Sequence, residues 1–64
     1  MEVLRKTKKS NGVVYRIYDN HPLYHIYEIE FKKGSFWFPA FNPKNKLFSD
    51  LEIAKSELEK LCAD

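Results

Sequence analysis

The sequence contains a single cysteine, Cys62, which excludes a disulfide within the chain and any zinc site built on cysteine pairs. No apolar run approaches the ~20 residues of a membrane-spanning helix. The N-terminal stretch MEVLRKTKK also lacks the apolar core of a secretory signal. The single cysteine and the lack of a signal or a membrane span lead us to expect a cytoplasmic protein that does not contact membranes. Because the chain begins at Met1, we expect a complete small gene product.

Glycine and arginine are also scarce. Gly12 and Gly34 are the two glycines, and both stand in turn-like surroundings, so the sequence holds no glycine-rich phosphate-binding loop. Two of the eleven basic residues are arginine, the side chain that most often recognises guanine. Internal repeats, linkers and low-complexity tracts are absent, and we therefore interpret residues 1–64 as a single small domain.

Few side chains are suited to catalysis. His21 and His25 are the two histidines, and neither has the cysteine pair or acidic cluster that a metal site requires, so we expect no metal and no cofactor. Cys62 has no activating neighbour in the sequence. Glu28 and Glu30 alternate along one strand, a spacing typical of a solvated face rather than of an acid–base pair. We predict that the protein is not an enzyme.

Aromatic residues, by contrast, are abundant, with ten among 64 residues. A domain of this size buries only ~60% of the surface that its unfolded chain exposes. At ~150–250 Å² per buried ring, ten rings exceed what one small sheet and one helix can enclose. We therefore expect some rings at the surface, where they would contact a partner or a second copy of the chain. Seven of the ten lie between residues 24 and 41, namely Tyr24, Tyr27, Phe31, Phe36, Trp37, Phe38 and Phe41.

The first third of the chain predicts a β-hairpin. Asn11-Gly12 separates two extended runs, and Asn-Gly is typical of a two-residue type I′ turn because both residues tolerate positive φ. The predicted turn would place Tyr15 and Ile17 on one face of the sheet and Arg16 on the other. The expected cross-strand pairs are Ser10 with Val13, Lys8 with Tyr15, and Lys6 with Ile17.

The segment Tyr24–Phe41 predicts a second hairpin, and two registers are open. A Lys33-Gly34 loop would pair Phe31 with Phe36, and Ile29 with Phe38. A three-residue loop would shift the last strand by one residue and exchange its two faces. We favour the first register, because it separates apolar from charged residues better. Its second face would then carry Tyr24, Ile26, Glu28, Glu30, Trp37 and Phe41.

Prolines and polar residues indicate the remaining turns. The run from Asp19 to Pro22 is typical of a chain reversal between the second and third strands. The run from Asn42 to Asn45 fits a type I turn with proline at its second position. Pro39 has no N–H for a sheet ladder, which predicts a position at a sheet edge.

A C-terminal helix is predicted after residue 48. Ser49 is the expected N-cap, with Glu52 completing a capping box, and Phe48 and Ile53 have hydrophobic-staple spacing. We therefore predict an α+β fold, an antiparallel meander of three to four strands with one C-terminal helix packed on one face. The predicted apolar stripe of the helix is Leu51, Ala54, Leu58 and Leu61.

The first functional hypothesis is a small protein-binding module, an inhibitor or adaptor of the type that short phage or bacterial genes encode. Its partner would be a larger protein, or a second copy in a homodimer. Trp and Tyr are enriched among interface hot spots, which favours an aromatic sheet face as the binding surface. The predicted anchors are Tyr24, Trp37 and Phe41, with Glu28 and Glu30 as a polar rim.

The alternative is nucleic-acid binding, including DNA, through the sheet and a basic first strand. Residues 1–9 carry four basic side chains against one acidic one, whereas the rest of the chain is nearly neutral. Such a segment is suited to phosphate contacts, although it equally suits a charged edge strand that resists aggregation. The expected phosphate contacts are Arg5, Lys6, Lys8, Lys9 and Arg16, and the expected stacking rings are Tyr15, Tyr18 and Trp37.

Overall fold

The computed structural model describes residues 1–21, 23–41 and 46–63, so the turn predicted from Asn42 to Asn45 lies outside the described residues. The described residues form an antiparallel sheet of five strands and one helix, which confirms the predicted α+β fold. No helix within these ranges is long and apolar enough to span a membrane. The elements are β1 (Glu2–Thr7), β2 (Val14–Asp19), β3 (Tyr27–Lys33), β4 (Phe36–Pro39), β5 (Leu47–Phe48) and α1 (Leu51–Cys62).

Strands β1 to β4 form a meander in chain order. The two-residue strand β5, which the sequence did not predict, pairs antiparallel with Tyr27 and Glu28 of β3. It lies beside β3 on the edge opposite β2, because β2 already pairs with the same two residues from the other side. That edge of β3 is therefore shared by β5 at one end and β4 at the other.

The β1–β2 register differs from the predicted one by two residues. Thr7 pairs with Val14, and the loop holds four residues between Lys8 and Val13. Gly12 alone in this loop has positive φ, at 72°, and its N–H donates to the Lys8 carbonyl at 2.8 Å. The predicted two-residue turn is wrong because Asn11 keeps an ordinary φ and uses its Oδ1 to accept the Val13 N–H at 3.0 Å.

The β3–β4 register also differs by two residues from the favoured prediction. The loop is Gly34-Ser35, with Gly34 at φ 62°, and Phe31 pairs with Phe38 instead of Phe36. Glycine with positive φ at the first loop position is the requirement of a type II′ turn. Since side chains alternate with a period of two, this shift leaves the paired residues of β3 and β4 on their predicted faces. Trp37 therefore does share a face with Glu28 and Glu30.

Pro39 is confirmed at a sheet edge, on β4. The Ala40 N–H donates to the Ile29 carbonyl at 2.9 Å, so the alternate residues Ala40, Phe38 and Phe36 direct their backbone groups toward β3. Trp37 and Pro39 direct theirs away from the sheet. The outer side of β4 therefore presents one N–H, that of Trp37, because proline has none.

Helix α1 begins one residue later than predicted. Asp50 is the N-cap, with extended backbone (φ −116°, ψ 119°), and its side chain accepts the Glu52 N–H at 2.8 Å. Ser49 is therefore not the cap. The shift also breaks the predicted staple, since Ile53 now falls at the third helical position and is 54% exposed.

The core lies between α1 and the faces of β2 and β3 that it covers. Ile17, Ile29, Ala54 and Leu58 are fully buried. The predicted helix stripe is confirmed, and Cys62 extends it as a buried free thiol. The partly buried side chains packed around this core are Tyr15, Ala40, Phe41, Phe48, Leu51 and Leu61.

Candidate functional site

The sheet face opposite the helix carries a stacked cluster around Arg16. Its guanidinium carbon lies 4.1 Å from the centre of the Trp37 ring and 4.7 Å from that of Tyr18. Arg5 approaches the same Trp37 ring at 5.2 Å. Each such contact stabilises a fold by about 0.5–2 kcal/mol, more when the cation is desolvated. These four side chains form the Arg–Trp cluster.

Two carboxylates neutralise the Arg–Trp cluster. Glu30 accepts from Arg16 Nε at 2.8 Å, and both side chains are about five-sixths buried (16% and 17% exposed). Glu2 accepts from Arg5 at 2.7 Å and lies 3.6 Å from Arg16. The Arg5 hydrogen bond lowers the pKa of Glu2, against the opposing effect of burial, with Arg16 adding to the decrease. Both arginines of the Arg–Trp cluster are therefore already paired within the chain.

The predicted protein-binding residues do not form one surface. Glu28, Glu30 and Trp37 share the face of the Arg–Trp cluster, but Trp37 is half-buried beneath the arginines. Phe41 instead packs against the core and meets Phe48 at a centroid distance of 6.3 Å. Tyr24 precedes β3, in a turn, where it is 75% exposed and contacts the His21 ring. Placing Tyr24 and Phe41 on this face was wrong, because β3 begins only at Tyr27 and β4 already ends at Pro39.

The predicted phosphate contacts are likewise divided. Arg5 and Arg16 belong to the Arg–Trp cluster, and Lys6 crosses to the helix side to bind Glu59 Oε2 at 2.5 Å. Lys8 and Lys9 lie at and beyond the end of β1, where no carboxylate of the described residues comes within ion-pair distance of either. Of the three predicted stacking rings, Tyr15 packs against the core and Tyr18 and Trp37 stack on Arg16.

The segment between β2 and β3 is organised by Asp19 and His25. His25 adopts φ 55°, in the left-handed region, and its Nδ1 lies 2.8 Å from Asp19 Oδ2. A carboxylate only accepts, so Nδ1 carries the proton of this bond. The His25 hydrogen bond lowers the pKa of Asp19, burial opposes that effect, and the His21 N–H strengthens it.

His21 closes the same turn. Its Nδ1 accepts the N–H groups of Leu23 and Tyr24 at 3.2 and 3.1 Å, so its remaining proton lies on Nε2. Asp19 and His25 also border an open depression of about 400 Å³. Within the described ranges no three metal-binding side chains come together. The two histidines thus have structural hydrogen-bonding roles in the turn.

A second aromatic surface lies on β4, on the side of the sheet that carries the helix. Phe36 is 71% exposed and Phe38 is 43% exposed. Phe31 of β3 is half-buried beneath Phe38, with the two ring centres 5.9 Å apart. Helix α1 contacts β1, β2, β3 and β5 but not β4, so the helix does not cover the β4 edge of the sheet. We name Phe31, Phe36 and Phe38 the Phe patch.

The exposed rings of the Phe patch, together with Tyr24, confirm that the chain has more aromatic surface than its core encloses. The sequence did not identify the patch as exposed, because its favoured register assigned Phe36 and Phe38 to the core face. The face was correct, but a 12-residue helix does not reach across to β4. The one sequence feature that could have indicated this exposure is the short length of the predicted helix, which is too short to cover all the strands.

Comparison of the chain with protein-family models, with curated proteins and with solved structures finds no significant match. The functional argument therefore depends on the surfaces described above.

Proposed function

We propose that the protein is a small, non-enzymatic protein-binding module that docks through the Phe patch onto a larger protein. The observation that carries this proposal is the exposure of Phe36 and Phe38 beside each other on one face of an edge strand. Exposed contiguous aromatic surface is unfavourable in water and is typical of an interaction site. An inhibitor or adaptor that inserts these rings into a pocket of its partner is the function we favour.

The area of the Phe patch favours a larger partner over a homodimer. Phe36 and Phe38 together expose roughly 200 Å² of ring surface, given ~150–250 Å² for a whole ring. A stable homodimer buries about 800 Å² on each subunit. Two such patches in contact with each other supply only about a quarter of that area on each subunit, whereas a pocket of a larger partner can enclose both rings and the side chains around them.

Nucleic-acid binding through the Arg–Trp face has less support. Arg5 and Arg16 are paired with Glu2 and Glu30, so phosphate contacts by these arginines would first have to break ion pairs within the chain. The same two carboxylates would repel a phosphate backbone. The Arg–Trp cluster is better explained as the feature that holds β1, β2 and β4 together on the side without a helix.

The proposal is tested by a pull-down experiment. Wild-type protein and two single variants are immobilised, and the proteins that each one retains from a lysate of the source organism are compared. Phe36→Ser removes the most exposed ring of the patch, and truncation of a hot-spot residue costs ≥2 kcal/mol, so the affinity for a purified partner should fall about 30-fold or more. Tyr24→Ser is the matched control, because Tyr24 is equally exposed (75%) but lies in the turn before β3.

Two outcomes would contradict the proposal. In the first, Phe36→Ser retains the partner as well as wild type does, but Tyr24→Ser does not. The anchor would then lie in the turn before β3. The other is concentration-dependent dimerisation of the wild type in sedimentation experiments that Phe36→Ser abolishes. Circular dichroism of each variant confirms that its fold is intact.

A further inference from the structure

The two hairpin loops lie at the same end of the sheet. Tyr15 of β2 pairs with Phe31 of β3, and continuing this antiparallel register places Val13 beside Lys33. Lys8 bonds to Val13 through its N–H, and Lys33 pairs with Phe36. The last row of the sheet is therefore formed by Lys8, Val13, Lys33 and Phe36, two residues beyond the row of Phe31 and Phe38.

This row faces the same side as the Phe patch. The Lys6–Glu59 ion pair shows that Lys6 lies on the helix side of the sheet. The residues paired across the sheet in the row of Lys6 lie on the same side, and they are Tyr15, Phe31 and Phe38. Residues two positions further along each strand point to that side again. Lys33 is therefore the direct neighbour of Phe36 on its own face, and Lys8 lies on that face at the far end of the row, three strand spacings or about 14 Å away. Lys9 lies in the loop after Lys8, and Lys32 lies on the opposite face of the same end.

The charge of this end is not compensated. Residues 3–18 and 31–49 contain no Asp or Glu, and the fold brings Lys8 and Lys9 of the first stretch to the same end of the sheet as Lys32 and Lys33 of the second. The nearest carboxylates in the sheet and helix, Glu30 and Glu59, are paired with Arg16 and Lys6. Within the described part of the chain, none of Lys8, Lys9, Lys32 and Lys33 forms an ion pair.

We propose that the partner docked on the Phe patch presents an acidic, apolar protein segment, with a pocket for Phe36, one Asp or Glu side chain that faces Lys33 beside it, and further acidic side chains along the row toward Lys8. This inference rests on the proposed function and adds the chemistry of the partner. An exposed ring at one edge of a lysine-rich sheet end is complementary to an apolar pocket that continues into negative charge. The same charge disfavours a second copy, because two such ends would repel each other.

A protein segment fits this surface better than a nucleic acid strand. The positive charge is confined to one end, and both arginines are already paired, so no basic groove runs across the sheet to follow a phosphate backbone. Phe36 is the most exposed ring at this end, whereas binding of a single strand stacks successive bases on successive rings.

The test selects random 12-residue displayed peptides on immobilised wild-type protein and measures the enriched peptides by fluorescence anisotropy. We expect the enriched peptides to combine several Asp or Glu residues with a large apolar residue. Their affinity should fall at least about tenfold for Lys8→Glu/Lys33→Glu, and it should weaken as NaCl is raised from about 50 to 500 mM. The matched control is Lys55→Glu/Lys60→Glu, which changes the net charge equally on the exposed side of α1 and should leave the affinity unchanged.

The other outcomes separate the two proposals. Neutral or basic peptides that depend on Phe36 but not on the lysines would overturn the acidic partner and leave the protein-binding function standing. The absence of any peptide whose binding Phe36→Ser weakens would overturn both. Binding of 20-nucleotide oligo(dT) or oligo(U) more tightly than any peptide, with a steep salt dependence, would also overturn both in favour of nucleic acid.

Discussion

At the residue scale, Asp19 is the group whose ionisation is most closely tied to the fold. It is 8% exposed, it accepts hydrogen bonds from His25 and from the His21 N–H, and its pKa lies below the ordinary value. A carboxyl group with a lowered folded-state pKa stabilises the fold at every pH above its unfolded pKa, near 4, and that contribution is lost as the pH falls through the folded-state pKa.

We therefore predict that Asp19→Asn reduces the free energy of unfolding near pH 6 and flattens its decline between about pH 5 and pH 2, because the substituted side chain no longer titrates. Urea unfolding across this range measures both effects. Glu52→Gln is the control, since the Glu52 side chain is 80% exposed. An Asp19→Asn protein that loses stability on acidification as steeply as wild type would show that Asp19 is not responsible.

His25 adds a backbone constraint at the same place. A non-glycine residue at φ 55° is strained by roughly 1 kcal/mol, and here the Asp19 carboxylate and the bond from the His25 N–H to the His21 carbonyl hold it in that conformation. The left-handed conformation of His25 explains why β3 begins later than its alternating pattern predicts. The chain turns at His25 before it can pair, and Tyr24 remains outside the sheet.

At the scale of elements, the faces of the strands could be predicted from the sequence but their pairing could not. Tyr15, Ile17 and Ile29 lie on the predicted faces, because alternation with a period of two specifies a face. It does not distinguish two registers that differ by two residues. That choice depends on the loops, where Gly12 closes a four-residue turn and Gly34 opens a two-residue one.

The helix N-terminus shows a similar limit. Ser and Asp are comparably good N-caps, so the sequence Ser49-Asp50 left two positions open and the Ser-x-x-Glu spacing favoured the wrong one. We predict that Asp50→Ala lowers the free energy of unfolding by about 1 kcal/mol, because the Glu52 N–H loses its acceptor. Ser49→Ala, measured in the same urea titrations, should change it by less than about 0.5 kcal/mol. A larger loss of stability in Ser49→Ala than in Asp50→Ala would show that Ser49 is the N-cap after all.

The candidate site depended on which rings the helix covers. The amount of ring surface could be anticipated from composition, but the rings left exposed follow from the position of a helix that crosses β1, β2, β3 and β5. Trp37 was expected to be an anchor because of its residue type. It is half-buried instead, because Arg16 and Arg5 stack on it, and no sequence spacing indicates that contact.

At the scale of the whole molecule, the core is small. Its fully buried side chains are Ile17, Ile29, Ala54 and Leu58, and a chain of 64 residues is expected to have only ~3–10 kcal/mol of stability at ~0.05–0.15 kcal/mol per residue. The removal of any one of these side chains therefore costs a large fraction of the total free energy of unfolding.

Leu58→Ala should destabilise the fold by about 2–5 kcal/mol, since it deletes a fully buried side chain between α1 and the sheet. A large share of the molecules should then be unfolded at 37 °C, which thermal unfolding followed by circular dichroism measures. Ile53→Ala on the exposed side of the same helix should change stability by no more than about 0.5 kcal/mol. Equal losses in the two variants would contradict the placement of the core.

The placement of Pro39 on the outer strand has a consequence for how the protein behaves at high concentration. With the Trp37 amide as the sole donor on the outer side of β4, an incoming strand cannot build a regular ladder along that border. The phenylalanines of β4 can therefore stay in contact with water without this border seeding stacked assemblies. The strand that presents the rings to a target is in this way protected against edge-to-edge growth.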